Sequence, residues 1–214
     1  MIVIDRDTKI YGSLSENAGS FGCKFFNTAF EKHGINSIYK SFSVTNITEA
    51  LLAAQSLGFF GCAISMPFKV TAFGLMDEVD DAAKKVGNIN TVLIDSNKMV
   101  GYNTDYYAAI KLITHYNKGF NTLYVLGNGG LASTVKVAAT ELGLNVENIT
   151  RGNWDTLYTL KNKFIFNCTP LTITTNSSNV YIDCLVESES GSMLHKEQAK
   201  HQFKLYTGVD YENS

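Results

Sequence analysis

Thr122-Leu123-Tyr124-Val125-Leu126-Gly127-Asn128-Gly129-Gly130-Leu131-Ala132 is an apolar run that breaks into clustered glycines and then resumes at helical spacing. This order predicts a strand, a tight turn and a helix that ends at Gly143. A strand followed by a helix in this way is the unit from which parallel α/β sheets are built. The residues expected on the buried face of the helix are Leu131, Val135, Ala138, Ala139 and Leu142.

The glycines of this turn have the spacing of a dinucleotide-binding fingerprint, G-x-G-x-x-G/A. In that interpretation Gly127 makes the turn, Gly129 lets the backbone approach a pyrophosphate, and Ala132 lets the helix lie against the strand. The same stretch is compatible with a glycine-rich loop that binds nothing. The motif by itself therefore indicates a nucleotide site without establishing one.

Length and composition favour two domains and a small ligand. The chain has 214 residues, 45% of them hydrophobic, and the glycine turn lies past its midpoint. A formal net charge of −2 gives no reason to expect nucleic acid or an anionic membrane surface as a partner. No stretch approaches the roughly 20 apolar residues of a membrane span, and the first residues have no basic segment before an apolar one. We therefore expect a cytoplasmic protein that binds a small molecule.

The cysteines have neither C-x-x-C nor zinc-like spacing, and most of them lie inside apolar runs. We therefore expect buried, reduced thiols and no metal site. The four cysteines are Cys23, Cys62, Cys168 and Cys184.

In the first part of the chain, strand-like and helix-like segments alternate twice, which predicts parallel pairing of the strands. The strand candidates are 9–12 and 38–42. A helix candidate follows each of them and stops at a glycine, Gly34 or Gly58.

A third strand candidate begins at Gly61 and ends at a proline. Pro67 fixes φ and lacks a backbone donor, which suits the first turn of a helix over 68–76 and would hold Lys69 near the carboxyl end of the strand. An ordinary solvated lysine fits the same position. The local pattern leaves both interpretations open.

Two further segments, 88–94 and 99–102, flank the polar residues 95–98, which predicts a β-hairpin. The second arm leads to Asp105 at the start of a helix over 105–116. The helix dipole alone favours an acidic residue in a first turn, so this position does not by itself indicate chemistry.

After the glycine turn, strand candidates 144–151, 163–170 and 180–186 continue the sheet. Arg151 lies near the end of the first of them, where a site that prefers NAD would have an acidic residue. An arginine there favours the 2′-phosphate of NADP, although a surface arginine fits equally well. A last helix carries Gln198, Ala199, Phe203 and Tyr206.

Taken together, these pieces resemble the shikimate dehydrogenase family from Lys9 to Gly208, because motifs of that family occur in the same order and at similar spacings. No single motif decides the matter, but their succession does. They are Ser13-Leu14-Ser15 for S-x-S, Gly61 to Lys69 for G-x-N-V-T-x-P-x-K, Gly87 to Thr91 for G-A-V-N-T, Asn103-Thr104-Asp105 for N-T-D, Gly127 to Gly130 for G-x-G-G, Asn167 to Pro170 for N-A-T-P, and Gln198 to Gly208 for Q-A-x-x-x-F-x-L-x-T-G.

The resemblance implies an α/β fold with an N-terminal αβ substrate domain and a minimal Rossmann-type NADP-binding domain. The substrate domain would comprise residues 1–104 and 193–214, and the nucleotide domain residues 105–192. The implied activity is the NADP-dependent, reversible reduction of 3-dehydroshikimate to shikimate in a cleft between the domains. We expect a monomer or homodimer without a nucleic-acid or membrane partner.

The resemblance also implies roles for individual residues. Lys69 and Asp105 would be the catalytic pair that relays the hydroxyl proton, and Asp105 would also hold a ring hydroxyl. The other substrate-binding residues would be Ser13, Ser15, Ser65, Asn90 and Gln198. The cofactor-binding residues would be Gly127, Asn128, Gly129, Gly130, Leu131, Arg151, Thr169 and Gly191.

Several positions depart from the family pattern. Ala63 replaces the Asn of N-V-T and Ser65 replaces its Thr, and a strand-and-helix unit is expected to be missing between Val186 and Gly191. We therefore expect weakened cofactor binding before lost chemistry, and a substrate that is either shikimate or quinate or another hydroxylated cyclic acid. The alternative of a different class is a degenerate, non-catalytic module that binds the ligand or the nucleotide. Retention of both catalytic residues argues against it.

Overall fold

A computed structural model describes residues 4–95 and 98–211 of the chain. The chain divides into two compact units: the first ends at Thr104 and resumes at Ala199, and the second runs from Asp105 to Gln198. The sequence predicts that the chain re-enters the first domain at residue 193, whereas in the structure the first unit resumes at Ala199.

The first unit is built on one mixed sheet. Its strands are β1 (Lys9–Ser15), β2 (Ser37–Ser43), β3 (Phe59–Ile64), β4 (Glu78–Val79), β5 (Thr91–Ile94) and β6 (Met99–Tyr102), and its helices are α1 (Phe21–Lys32), α2 (Ile47–Ser56), α3 (Lys69–Phe73) and α4 (Asp81–Val86). The strand order is β2-β1-β3-β5-β6-β4. β1 is parallel to β2 and β3, whereas β5 is antiparallel to β3 and β6. The predicted parallel pairing and the predicted hairpin are therefore confirmed.

Asparagine side chains fix two of these elements. Asn46 caps α2, since its Oδ1 accepts the backbone N–H groups of Thr48 at 3.0 Å and Glu49 at 3.3 Å. Asn27 joins α1 to β2: its amide donates to the Tyr39 carbonyl at 2.9 Å and accepts the Tyr39 N–H at 2.8 Å.

Apolar residues cover both faces of this sheet, because neighbouring residues of a strand point to opposite faces. Cys62 and Ile64 of β3 belong to one cluster, with α2, whereas Ala63 between them packs against the other, with α1. The second cluster also contains Phe203 and Tyr206. The carboxyl-terminal part of the chain therefore completes the core of the first unit.

The second unit is built on a parallel sheet. Its elements are α5 (Thr104–Tyr116), β7 (Thr122–Leu126), α6 (Gly130–Glu141), β8 (Asn145–Ile149), α7 (Thr156–Thr159), β9 (Phe164–Asn167), β10 (Val180–Asp183) and α8 (Glu189–Thr207), which continues into the first unit. The strand order is β10-β9-β7-β8, and every pairing is parallel. This is the minimal Rossmann-type sheet that the sequence predicts. The strand order reverses between β7 and β9, and open α/β sheets bind their ligands at such a switch point.

The glycine-rich stretch folds as a strand, a turn and a helix, as predicted. Gly127 has a φ of +105°, which favours glycine, and the buried residues of α6 include Ala132, Val135 and Ala138. Leu142 is an exception to the predicted face, with 40% of its surface exposed, because α6 ends at Glu141 and the chain turns away at Gly143. Leu131, in the first turn of α6, is half-buried.

Two local predictions are wrong. Pro67 does not lie in the first turn of a helix over 68–76: it belongs to a turn in which the Phe68 N–H donates to the Ser65 carbonyl at 3.0 Å, and α3 covers only Lys69–Phe73. None of the four cysteines forms a disulfide, as expected, but Cys62 alone is fully buried and the other three are half-buried.

Three further predictions concern the last helix, the hairpin turn and membrane-spanning segments. α8 begins at Glu189, well before the apolar residues that predict the last helix. Ser96 and Asn97 of the predicted hairpin turn lie outside the described residues. No described helix combines the length and the apolar character that crossing a membrane requires.

Candidate functional site

Polar residues collect at one edge of the six-stranded sheet. β1 and β3 are parallel, so Ser15 at the end of β1 and Ser65 after β3 lie at the same edge. The Ser65 N–H donates to the Leu14 carbonyl at 3.0 Å, and the Ile64 N–H donates to the Asn90 carbonyl at 2.8 Å. Because β5 runs antiparallel to β3, Asn90 precedes β5 at this edge too. The fold thus brings together three of the predicted substrate-binding residues.

Ser13 lies two positions before Ser15 on β1, on the same face of the strand. Its side chain is hydrogen-bonded to that of Tyr39 on β2. Burial raises the pKa of Tyr39, and the bond to Ser13 partly offsets that rise. Ser13 is half-buried and Ser15 is buried.

Asn90 is engaged by the protein itself. Its Nδ2 donates to the Thr104 hydroxyl at 2.9 Å, while its Oδ1 accepts the Thr104 N–H at 2.8 Å and the Thr91 hydroxyl at 3.0 Å. Asn90 is 2% exposed. In the described chain it therefore holds Thr104, the residue that immediately precedes Asp105.

A second bond parallels this one. Asn103 Nδ2 donates to the backbone and side-chain oxygens of Asn88 at 3.0 and 2.9 Å. The segments that match G-A-V-N-T and N-T-D are thus tied together by their own asparagines, a reason for these residue types that spacing alone does not reveal.

Lys69 is the first residue of α3, and its side chain is half-buried. Its backbone carbonyl accepts the Ile89 N–H at 3.2 Å, which holds the start of α3 beside the segment that carries Asn90. Lys69 therefore belongs to the polar edge of the first unit.

Asp105 lies in the first turn of α5 and is 1% exposed. Its charge acts on the loop after β9: burial raises the pKa of Cys168 well above its ordinary value, and Asp105 is among the neighbouring groups that raise it further. Within the second unit, this carboxylate and the loop that follows β9 are therefore electrostatic neighbours.

The glycine turn lies at the switch point of the second sheet. The Gly127 N–H donates to the Ile149 carbonyl at 2.8 Å, and a Cβ on Gly127 would lie 3.0 Å from Cγ2 of Thr169. The loops that follow β7 and β9 are thus in contact.

The turn also fits a dinucleotide. Gly129 is the N-cap of α6, and no side chain of the described residues caps the helix there. The start of a helix is a favourable place for a diphosphate to bind. A Cβ on Gly129 would meet no atom of the described residues within 4 Å, so packing within the protein does not require a glycine at this position. The residues present are therefore suited to NADP or NAD.

This turn is supported by Asn148 and Lys136, neither of which belongs to a recognisable sequence motif. Asn148 on β8 donates to the carbonyls of Val125 at 2.9 Å and Gly127 at 2.8 Å. Lys136 Nζ on α6 lies 3.3 Å from Oδ1 of both Asn148 and Asn128. A polar residue within a short strand is the one sequence signal that could have identified Asn148.

Asn167 supports the loop after β9, as Asn148 supports the glycine turn. It is fully buried, and its Oδ1 accepts the N–H and hydroxyl of Thr169 at 2.9 and 2.7 Å. Its Nδ2 donates to Asp183 Oδ1 at 3.1 Å. These bonds hold the predicted cofactor residue Thr169 against the glycine turn.

The remaining predicted residues differ in their surroundings. Arg151 is exposed in a 3₁₀ turn (Arg151–Asn153) directly after β8. Gly191 is buried in α8, and a Cβ there would lie 1.9 Å from the Leu185 carbonyl oxygen, so packing alone requires this glycine.

Gln198, a predicted substrate-binding residue, is half-buried and lies 3.4 Å from His195 Nδ1 through its Nε2. The glutamine that contacts the polar edge of the first sheet is Gln202, whose Nε2 donates to the Asn90 carbonyl at 3.2 Å and the Thr91 hydroxyl at 2.9 Å. Helical spacing, one turn further along α8, would have indicated it.

The four parallel strands, the glycine turn at the switch point and the attached αβ unit define a two-unit α/β protein with a Rossmann-type nucleotide-binding sheet. Comparison with known proteins narrows this class. The family model for the shikimate dehydrogenase substrate binding domain matches residues 17–92. Over this segment the chain is therefore similar to the substrate-binding domain of shikimate dehydrogenases.

Two curated relatives illustrate the similarity. The chain is 38% identical over 142 residues to a shikimate dehydrogenase-like protein of Haemophilus influenzae, covering 66% of this chain and 52% of that protein. It is 34% identical over 135 residues to a shikimate dehydrogenase (NADP(+)) of Clostridium perfringens, covering 59% and 49%. The chain thus spans about half the length of the curated relatives it matches.

A solved structure agrees over a longer range. A shikimate 5-dehydrogenase-like protein superposes with a TM-score of 0.82 at 27% identity, covering 99% of this chain and 96% of the other. The fold of the chain is therefore similar to that of this solved structure.

Proposed function

We propose that this chain is an NADP-dependent alcohol dehydrogenase that interconverts shikimate and 3-dehydroshikimate. The observation that carries the proposal is the convergence of Ser15, Ser65 and Asn90 with the start of α3, and hence Lys69, at one edge of the first sheet. The similarity of the chain to a protein named shikimate dehydrogenase (NADP(+)) supports the proposal.

In the proposed mechanism, Lys69 and Asp105 transfer the proton of the substrate hydroxyl. As the carbinol carbon gives up hydride, its hydroxyl must lose a proton, and the reverse reaction must return one to the ketone oxygen. An amine and a carboxylate whose protonations are coupled can relay that proton in both directions. The burial of Asp105 supports this role, because a carboxylate shielded from water interacts more strongly with a neighbouring cation.

Substrate recognition is proposed to use neutral groups. The hydroxyls of Ser13 and Ser15 would donate to the substrate carboxylate, and Ser65 and Gln198 would meet ring hydroxyls. Asn90 is proposed to orient Thr104, and through it the start of α5, since its own amide is bonded within the protein.

The proposed cofactor site is the glycine turn. NADP⁺, when bound, supplies the hydride acceptor. The N–H groups from Gly129 to Leu131 would bind its diphosphate at the start of α6, Thr169 would line the opposite side of the turn, and Arg151 would meet the 2′-phosphate.

The first test is an absorbance assay for reduced nicotinamide with the purified chain, combining shikimate or quinate with NADP⁺ or NAD⁺. We expect the fastest reduction with shikimate and NADP⁺. Quinate as the better substrate would favour the paralogue that Ala63 and Val186 leave open, and no turnover in any combination would favour a non-catalytic binding module.

The second test is Lys69→Ala. Loss of one acid–base group should lower kcat by about 10²–10⁴-fold, while shikimate binding, measured by calorimetry, should persist. Lys24→Ala is the matched control, because Lys24 is an exposed lysine of α1. Turnover in Lys69→Ala equal to wild type would refute the assigned role.

A further inference from the structure

The glycine turn carries a cation that the proposed function does not use. Lys136 is half-buried on α6, with its ammonium 3.3 Å from the amide oxygens of Asn128 and Asn148. Both contacts are neutral. Across residues 4–95 and 98–211, no salt bridge joins Lys136 to a carboxylate. Its positive charge is therefore not neutralised by an ion pair.

The contacts of Lys136 locate this charge relative to the two strands that carry the turn. Asn128 follows β7 in the glycine turn, and Asn148 lies on β8 directly opposite Val125. The ammonium therefore lies at the turn and within reach of β8, and its charge also acts on Cys168 after β9. Arg151 follows the end of β8. In Rossmann-type sheets the adenosine ribose of a dinucleotide binds between the glycine turn and the end of the second strand.

We propose that Lys136 is a specificity-determining residue that binds, together with Arg151, the phosphate on the 2′-oxygen of the adenosine ribose. The inference rests on the proposed function, because it concerns the cofactor of the same site. A phosphate monoester carries a charge of about −1.5 to −2 near neutral pH and offers several strong acceptors. If the Lys136 ammonium exchanged one amide oxygen for an oxygen of this phosphate, it would gain a stronger, charge-assisted hydrogen bond. NAD has a neutral hydroxyl at this position and gains nothing comparable.

Lys136 also has a structural effect, since it bridges the turn to β8, and the test must separate the two roles. Loss of the bridge would disturb the turn that binds the diphosphate, which NADP and NAD share. Loss of a 2′-phosphate contact would weaken NADP alone. The ratio of the two dissociation constants therefore distinguishes selection of the phosphate from support of the turn.

The experiment is calorimetric titration of the full chain with NADP⁺ and with NAD⁺, for wild type, Lys136→Gln and Lys136→Arg. We expect Lys136→Gln to weaken NADP⁺ binding about tenfold, as for loss of one charge-assisted contact, while NAD⁺ binding stays within about twofold. Lys136→Arg should keep the wild-type ratio.

Lys161→Gln is the matched control. Lys161 is exposed and lies three residues before β9 begins, at the amino end of the strands and hence at the opposite edge of the same sheet. Lys161→Gln removes the same charge from the same unit but far from the glycine turn. The ratio of the NADP⁺ and NAD⁺ dissociation constants should therefore not change. A similar loss of selectivity in this variant would indicate a general effect of net charge and overturn the proposal.

Equal weakening of both dinucleotides by Lys136→Gln, or no weakening, would also overturn it. Either result would leave the proposed activity intact if the wild-type chain turns over shikimate. Failure of the wild type to bind either dinucleotide would instead refute the proposed function, and this inference with it.

Discussion

Cys62 shows how burial of one side chain couples the stability of this protein to pH. It is fully buried in β3, and burial raises the pKa of its thiol from 9.0 to about 12. Between these values the unfolded chain has lost the thiol proton while the folded chain retains it. The free energy of unfolding therefore falls as pH rises through this range, by up to about 1.4 kcal/mol per pH unit from this group.

Cys62→Ala tests this coupling. The variant should be less stable than wild type at pH 7, because packing is lost, but the difference should shrink by about 1 kcal/mol or more between pH 9 and 11. Urea unfolding at several pH values measures it. Val92→Ala, in the same apolar cluster and without a titratable group, should keep a constant difference from wild type. A constant difference for Cys62→Ala as well would contradict the assignment.

The residues of the site differ in how far sequence predicts them. Ser15 and Ser65 follow from local motifs and lie together because parallel strands end at one edge. Asn90 is bonded to Thr104, and this could not be predicted, because the contact depends on the register of β5 against β6. Lys136 is hidden for a similar reason: its partner oxygens are brought to it by the turn and by β8.

At the scale of elements, the sequence predicts what is local. The strand and helix around the glycine turn are found as predicted, because apolar periodicity and glycine positions act over a few residues. The start of α8 is missed, since Glu189 to Ser192 offer no apolar face and Gly191 is unfavourable in a helix. The glycine at position 191 is explained by packing, because a Cβ there would collide with the Leu185 carbonyl.

Gly191→Ala should therefore destabilise the second unit. A Cβ would lie 1.9 Å from a backbone oxygen, so the helix must shift, and we expect the free energy of unfolding to fall by about 1–3 kcal/mol. The single tryptophan, Trp154, packs on the core of this unit and reports its unfolding in urea by fluorescence. Gly152→Ala is the control, since a Cβ there meets no atom within 4 Å. Equal stability of the two variants would show that α8 adjusts without strain.

At the scale of the whole molecule, the end of the chain returns to its beginning. The Tyr11 hydroxyl on β1 donates to the Tyr206 carbonyl at 2.8 Å across 195 positions of sequence. Phe203 is fully buried, with its ring centroid 5.9 Å from that of Phe30 on α1. Local patterns do not predict such contacts, and only the resemblance to a family implied that the last helix belongs to the first domain.

Phe203→Ala should consequently destabilise the first unit, although the substitution lies far along the chain from β1. Removing a fully buried phenylalanine leaves a cavity and typically lowers the free energy of unfolding by about 3–5 kcal/mol. Hydrogen exchange measured without urea should therefore be faster at the amides of β1 and β2, because opening of this part of the sheet then costs less free energy. Val209→Ala, at a residue 40% exposed just beyond α8, should change stability by less than about 0.5 kcal/mol. Unchanged exchange at β1 in Phe203→Ala would mean that the first unit holds its sheet without the end of the chain.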